Sequence, residues 1–154
     1  MYLNLVKLVK FSEIRKFIKF KSMRCEKIMN LILFVHQDSS HKGTIFKQRM
    51  EKNLKGLGIE TFQTFNGFKT RLNRVYLYDK EIFVLLADSQ DRLKQLTSLL
   101  DLLEGKRILL ILPDDSDLTT AAAHHFFPRY FTYVNDTYDD LCAVILKMTK
   151  QEKK

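Results

Sequence analysis

The segment Ile108-Leu109-Leu110-Ile111-Leu112-Pro113-Asp114-Asp115 contains the most hydrophobic run of the chain, and that run ends abruptly at a proline and two aspartates. A short continuous apolar run is typical of a strand that is buried on both faces of a parallel sheet. Residues 31–36 and 82–87 form two further runs of the same kind. The three runs therefore predict the central strands of a parallel sheet.

Segments of helical period separate these runs, so strands and helices alternate along the chain, as in βα units. Strands are predicted at residues 31–36, 59–65, 82–87, 108–112 and 130–134, and helices at about 44–57, 68–78, 89–104, 118–127 and 138–150. The second and fifth strands alternate apolar and polar residues, which favours the sheet edges. The predicted fold class is α/β, a three-layer sandwich with a five-stranded parallel sheet in the order 2-1-3-4-5.

The 154 residues are enough for one domain, and 45% hydrophobic and 29% charged residues are ordinary for a globular protein. The net charge of +8 is unevenly placed, because residues 1–28 carry +6 and the other 126 residues only +2. The chain thus divides into a basic leader over residues 1–28, a domain over residues 29–150 and a short tail over residues 151–154, which we expect to be disordered. A nearly balanced domain gives no indication of specific nucleic-acid binding.

Two interpretations of the leader stay open. Its lysines alternate with apolar residues, which suits a flexible or amphipathic helix on an anionic surface. Alternatively, translation starts at Met29, which stands directly before the first predicted strand. The two cysteines, Cys25 and Cys142, form no metal-binding pattern and suggest free thiols in the cytoplasm. No run approaches the roughly 18 apolar residues of a membrane span.

The layout of residues 29–150 resembles the receiver domain of bacterial response regulators. The similarity rests on the five βα units, on Met29-Asn30-Leu31-Ile32-Leu33-Phe34-Val35 near the start, and on Tyr133-Val134-Asn135-Asp136 followed by a helix with Asp139-Asp140-Leu141. It implies a flavodoxin-like fold and a role in signal transduction through a protein partner.

The motif residues of receivers are replaced in this chain. Receivers have an acidic pair after the first strand, a phosphoacceptor aspartate ending the third and a lysine after the fifth; the matched positions hold His36, Ala87 and Val134. Pro113 replaces the hydroxyl residue that receivers have after the fourth strand. Asp88 comes one or two positions after the place of the phosphoacceptor aspartate. The resemblance therefore implies a regulatory module that does not accept a phosphoryl group, and an enzyme is the less favoured class.

Oxygen-bearing side chains nevertheless follow the strands, at the edge where ligands bind in doubly wound sheets. The candidates for a ligand or metal are Asp38, Ser40, Asp88, Asp114 and Asp115. Carboxylates in convergent loops suit Mg²⁺, and aspartate and serine are also what helix N-termini require as caps. No cofactor is expected beyond this option of Mg²⁺.

The loop Ser39-Ser40-His41-Lys42-Gly43-Thr44 supports an alternative function. Hydroxyls, a glycine and a cation before a helix suit an anion, as in the phosphate loop of flavodoxins. The alternative is thus a binding protein or enzyme for a phosphate, nucleotide or flavin.

A face for a protein partner is predicted around the fourth helix and fifth strand, which is the usual partner surface of receivers. The candidate residues are His125, Phe127, Arg129, Tyr130 and Tyr133. Aromatic residues and arginine are enriched in protein interfaces, so this face suits either an unidentified protein or a homodimer.

Overall fold

The structure, a computed structural model, describes residues 29–74 and 80–151. The described residues do not include the basic leader, residues 75–79, which cover the end of the predicted second helix, or residues 152–154 of the tail. None of the described helices is long and apolar enough to cross a membrane.

Five parallel strands form one sheet in the order β2-β1-β3-β4-β5, which confirms the predicted fold class and strand order. The strands are β1 (Asn30–Phe34), β2 (Gly58–Phe62), β3 (Glu81–Leu86), β4 (Arg107–Leu112) and β5 (Tyr130–Tyr133). The apolar strands β1, β3 and β4 are central and almost fully buried, while β2 and β5 are edges of intermediate exposure. This strand order defines a flavodoxin-like α/β domain.

Helices cover both faces of the sheet. They are α1 (Ser40–Asn53), preceded by a 3₁₀ turn (Gln37–Ser39), α2 (Phe65–Leu72), α3 (Gln90–Thr97), α4 (Leu100–Leu103), α5 (Asp117–His124) and α6 (Asp139–Gln151). Alternate residues of β1 point to opposite faces, as the pleat requires. Leu31 and Leu33 pack with α1 and α6, and Ile32 and Phe34 pack with the other helices.

The first two helices begin earlier in the chain than the sequence indicated. Helix α1 begins at Ser40 because Gly43, with no side chain, can lie against Val35: a Cβ at Gly43 would stand 2.7 Å from Val35 Cγ1. Helix α2 begins at Phe65, because the Thr64 hydroxyl accepts the Gly67 N–H at 3.1 Å and caps the helix.

The predicted third helix is two helices, although its leucines form one continuous stripe. Helix α3 ends at Thr97, and the hydroxyls of Thr97 and Ser98 donate to the carbonyls of Lys94 and Gln95 at 2.5 and 2.6 Å. Such hydroxyls compete for backbone carbonyls and disfavour continuation of a helix. The chain resumes as the single turn α4, and Gly105 with φ +78° ends it.

Candidate functional site

Asp88 follows β3, at the carboxyl edge of the sheet, and lies beside a cation. Its Oδ1 is 3.5 Å from Nε of Arg92, one turn along α3, and only 18% and 11% of the two side chains are exposed. The Arg92 guanidinium also lies 5.8 Å from the ring centre of Phe65 and donates to Gln95 at 3.0 Å. The carboxylate of Asp88 is therefore balanced by a cation in the helix that follows it.

Asp114 follows β4 and accepts several hydrogen bonds. Its Oδ1 accepts the Ser116 N–H at 3.0 Å and the Thr119 hydroxyl at 2.6 Å, and its Oδ2 accepts Gln90 Nε2 at 2.8 Å. Hydrogen bonds from Ser116, Thr119 and Gln90 hold the pKa of Asp114 far below its ordinary value. Asp114 thus fixes the start of α5 and connects it to α3.

The other carboxylates of this edge differ in their contacts. Asp136, after β5, accepts the Thr132 hydroxyl and the Tyr133 N–H, so it closes the turn that follows the strand. Asp38 and Asp115 are exposed. Ser40 begins α1, and its side chain lies outside the described part of the chain.

His36 lies two residues after β1, and its side chain is mostly buried against aromatic rings. Its side chain is 12% exposed, and its ring centre is 5.4 Å from that of Phe65. Nδ1 accepts the Asp38 N–H at 3.1 Å and lies 3.5 Å from an Asp38 carboxylate oxygen.

The acidic side chains of the carboxyl edge do not converge. Within residues 29–74 and 80–151, no three His, Cys, Asp or Glu side chains are placed to hold a metal ion. Two of the positions matched to the receiver motif are apolar and buried: Ala87 is fully buried and Val134 is 7% exposed. The carboxyl edge is therefore built of separate structural contacts.

A small cleft lies beside the first strand–helix connection. Its volume is about 300 Å³, and His36, Thr44 and Lys47 are among the residues that line it. Ser39, at the start of α1, is 2% exposed, and its hydroxyl has no hydrogen-bond partner among the described residues. His41 and Lys42 are exposed.

A cleft of larger volume lies at the opposite, amino edge of the sheet, between the turns that precede β4 and β5. Its volume is about 750 Å³. We call it the amino-edge cleft, and define it by α4 and the following turn (residues 100–106) on one wall and residues 125–129 on the other. His125, Phe127 and Arg129, three of the five predicted partner-face residues, line it.

The two remaining predicted residues of the partner face lie elsewhere. Tyr130 packs on the side of the sheet that α1 and α6 cover, and Tyr133 packs on the other side. The Tyr133 ring meets the Phe131 ring nearly edge-on, with centres 6.2 Å apart. Both tyrosines are half-buried, so the five residues do not form one surface.

An ion cluster around Arg71 was not predicted from the sequence. Arg71 in α2 is 4% exposed, and its guanidinium binds Glu60 of β2 at 3.0 Å and also Glu81 of β3. Burial alone lowers the pKa of Arg71, but hydrogen bonds and charges from Glu81 and Glu60 outweigh it and raise the pKa. The three residues lie in different elements, α2, β2 and β3, and only the fold brings them together.

Cys142 is the cysteine that the structure describes, and it is buried with a free thiol. Asn53 Nδ2 lies 3.8 Å from its Sγ. Burial raises the pKa of the Cys142 thiol, which leaves it protonated and unreactive near neutral pH.

The chain matches no protein-family model, and no curated protein is similar to it in sequence. The fold and the site thus define a class, a flavodoxin-like α/β domain whose carboxyl edge is occupied by structural hydrogen bonds and ion pairs.

Proposed function

We propose that the protein is a non-enzymatic regulatory module of receiver-like layout, which acts by binding a protein partner and does not take up a phosphoryl group. The proposal rests on one observation: the carboxylates that follow β3 and β4 already bind neighbouring side chains. Asp88 is paired with Arg92, and Asp114 is held by three neighbours. A phosphoacceptor instead needs a free carboxylate beside a bound cation.

The surroundings of these residues support the same function. Ala87, at the matched position of the phosphoacceptor, is fully buried, and Val134 occupies the matched position of the lysine. Asp88 is displaced from that position and contacts the guanidinium of Arg92. An acyl phosphate at Asp88 would have to break this ion pair.

The amino-edge cleft supports a binding role. Its volume of about 750 Å³ exceeds the 300 Å³ of the cleft beside the first strand–helix connection, and Phe127 at its rim is 86% exposed. Large exposed aromatic side chains beside a cleft are typical of protein interaction sites.

The test is a titration of the ¹⁵N-labelled protein with Mg²⁺ and beryllofluoride, followed by amide chemical shifts, and a parallel incubation with acetyl phosphate. We expect no saturable response that needs both Mg²⁺ and beryllofluoride. A saturable response that is lost in Asp88→Ala and retained in Asp115→Ala would overturn the proposal. Asp115 is a matched control, because it is an exposed aspartate of the same edge.

A second function is supported by the small cleft at the first strand–helix connection. Lys47 contributes a cation to its lining and Thr44 a hydroxyl, both from α1. This arrangement suits the phosphate of a nucleotide or flavin. Thermal-shift measurements with inorganic phosphate, FMN and a nucleotide panel test it. Stabilisation that Lys47→Ala abolishes and Lys52→Ala retains supports this function, while a flat response excludes it.

A further inference from the structure

We propose that the amino-edge cleft is the contact of a symmetric dimer, in which Phe127 of each copy enters the cleft of the other. The inference rests on the proposed binding function and names its partner as a second copy of this chain.

Phe127 has the position and rigidity of an interface residue. Its side chain is 86% exposed, yet its backbone is fixed in the left-handed region with φ 48°. The Phe127 N–H donates to the His124 carbonyl at 3.1 Å, and the Arg129 N–H donates to the Ile108 carbonyl at 2.8 Å. The ring is therefore presented at the rim of the cleft by a segment tied to both α5 and β4.

The two walls of the cleft carry opposite charges. Asp101 and Glu104 lie on the wall formed by α4, and Arg129 lies on the wall before β5. Over residues 29–74 and 80–151, no ion pair is formed by any of these three. Lys106 is also on the α4 wall, but its Nζ lies 5.5 Å from the centre of the Phe83 ring.

A second copy fits this charge pattern better than a ligand of one sign. A two-fold axis brings the same patch of both copies together, so residue i of one contacts residue j of the other and the reverse. The acidic wall of each copy then faces the Arg129 wall of its partner. An anionic or a cationic ligand would instead meet a wall of its own charge.

The experiment is sedimentation velocity on the full chain over a range of concentrations. We expect the wild type to dimerise, and R129E and E104R each to weaken dimerisation, because each places like charges opposite one another twice. An equimolar mixture of R129E and E104R should recover the dimer, since both contacts of the mixed dimer then join opposite charges. A monomeric wild type, or a mixture that stays monomeric although both variants are folded, would overturn the proposal.

A second variant tests the aromatic contact. We expect Phe127→Ala to raise the dimer dissociation constant by roughly 30-fold or more, the loss typical of an interface hot spot. Leu118→Ala is the control, because Leu118 is 75% exposed at the other end of α5, and it should leave the constant unchanged. An unchanged constant in Phe127→Ala contradicts the proposal.

The two proposals fail separately. If the protein is a monomer and does not respond to beryllofluoride, the dimer proposal is overturned and the proposal of a phosphorylation-independent module stands. If the protein is a dimer and responds saturably to Mg²⁺ and beryllofluoride through Asp88, the phosphorylation-independent module is overturned and the dimer proposal stands.

Discussion

Phe127 and Tyr138 share a left-handed backbone, with φ of 48° and 68°, and differ in burial, with 86% and 4% of the residue exposed. The Tyr138 ring meets Phe46 edge-on with centres 5.3 Å apart, and its hydroxyl donates to the Val134 carbonyl at 2.8 Å. Burial and hydrogen bonding thus offset the cost of the backbone at Tyr138. Among the described residues, the Phe127 ring forms no comparable ring contact, and strained backbone of this kind is concentrated at functional sites.

Replacement of Phe127 with glycine separates stability from binding. Glycine adopts positive φ without steric cost, and an exposed ring contributes little to the fold, so Phe127→Gly should raise the free energy of unfolding by up to about 1 kcal/mol. Urea denaturation of dilute protein, where association does not contribute, measures the change. Tyr138→Gly should lower the free energy by at least about 3 kcal/mol, because it removes a buried aromatic side chain. A Phe127→Gly variant as unstable as Tyr138→Gly would contradict this account.

The sheet could be predicted from sequence because burial on both faces leaves a continuous apolar run. The runs that became β1, β3 and β4 show this, and the alternation in β2 and β5 marks the edges. Helix ends were less predictable, since they depend on single contacts such as the Thr64 hydroxyl on the Gly67 N–H. A stripe of leucines is equally compatible with one helix or two, so the spacing of the leucines did not indicate the break after Thr97.

The site was harder to predict than the sheet, because side-chain partners are set by the loop paths. Asp88 and Asp114 were correctly placed after β3 and β4. Arg92 stands four positions after Asp88, a spacing at which opposite charges commonly pair, but nothing local indicated that Gln90 would bind Asp114. The cluster of Arg71 with Glu60 and Glu81 joins three elements. Pairs of opposite charges are common in any chain, so the sequence gives no signal for this one.

The Arg71 cluster should respond unequally to loss of its two glutamates. Glu81 is 13% exposed and Glu60 is 49% exposed, so water replaces Arg71 more easily at Glu60. We expect Glu81→Gln to lower the free energy of unfolding by about 2 kcal/mol and Glu60→Gln by less than about 1 kcal/mol. Arg71→Ala should lower the free energy of unfolding by about 3–5 kcal/mol, because it leaves the carboxylate of Glu81 unpaired and mostly buried. Thermal or urea unfolding measures all three, and equal effects of the two glutamates would refute the argument.

The contribution of Asp114 to the free energy of unfolding depends on pH in the acid range. Its pKa is lowered in the fold, so the unfolded chain binds a proton first as the pH falls. The stability it contributes is complete above the ordinary aspartate pKa of about 4 and declines below it. The difference in the free energy of unfolding between wild type and Asp114→Asn should therefore be constant near neutral pH and shrink below about pH 4. Urea unfolding of both proteins across pH measures this difference, and a difference that stays unchanged below about pH 4 would contradict the account.

Gly43 should resist the substitution that usually stabilises a helix. In an ordinary helix interior, alanine is favoured over glycine by about 1 kcal/mol. At Gly43 the new Cβ would stand 2.7 Å from Val35 Cγ1 and 3.0 Å from Ser39 Cβ, so α1 would have to move away from the sheet. We expect Gly43→Ala to lower the free energy of unfolding by about 1–3 kcal/mol. Adding Val35→Ala removes the nearest clash, so the double variant should be more stable than the sum of the single effects predicts. Additive single effects in urea unfolding would show that the helix does not depend on this close approach.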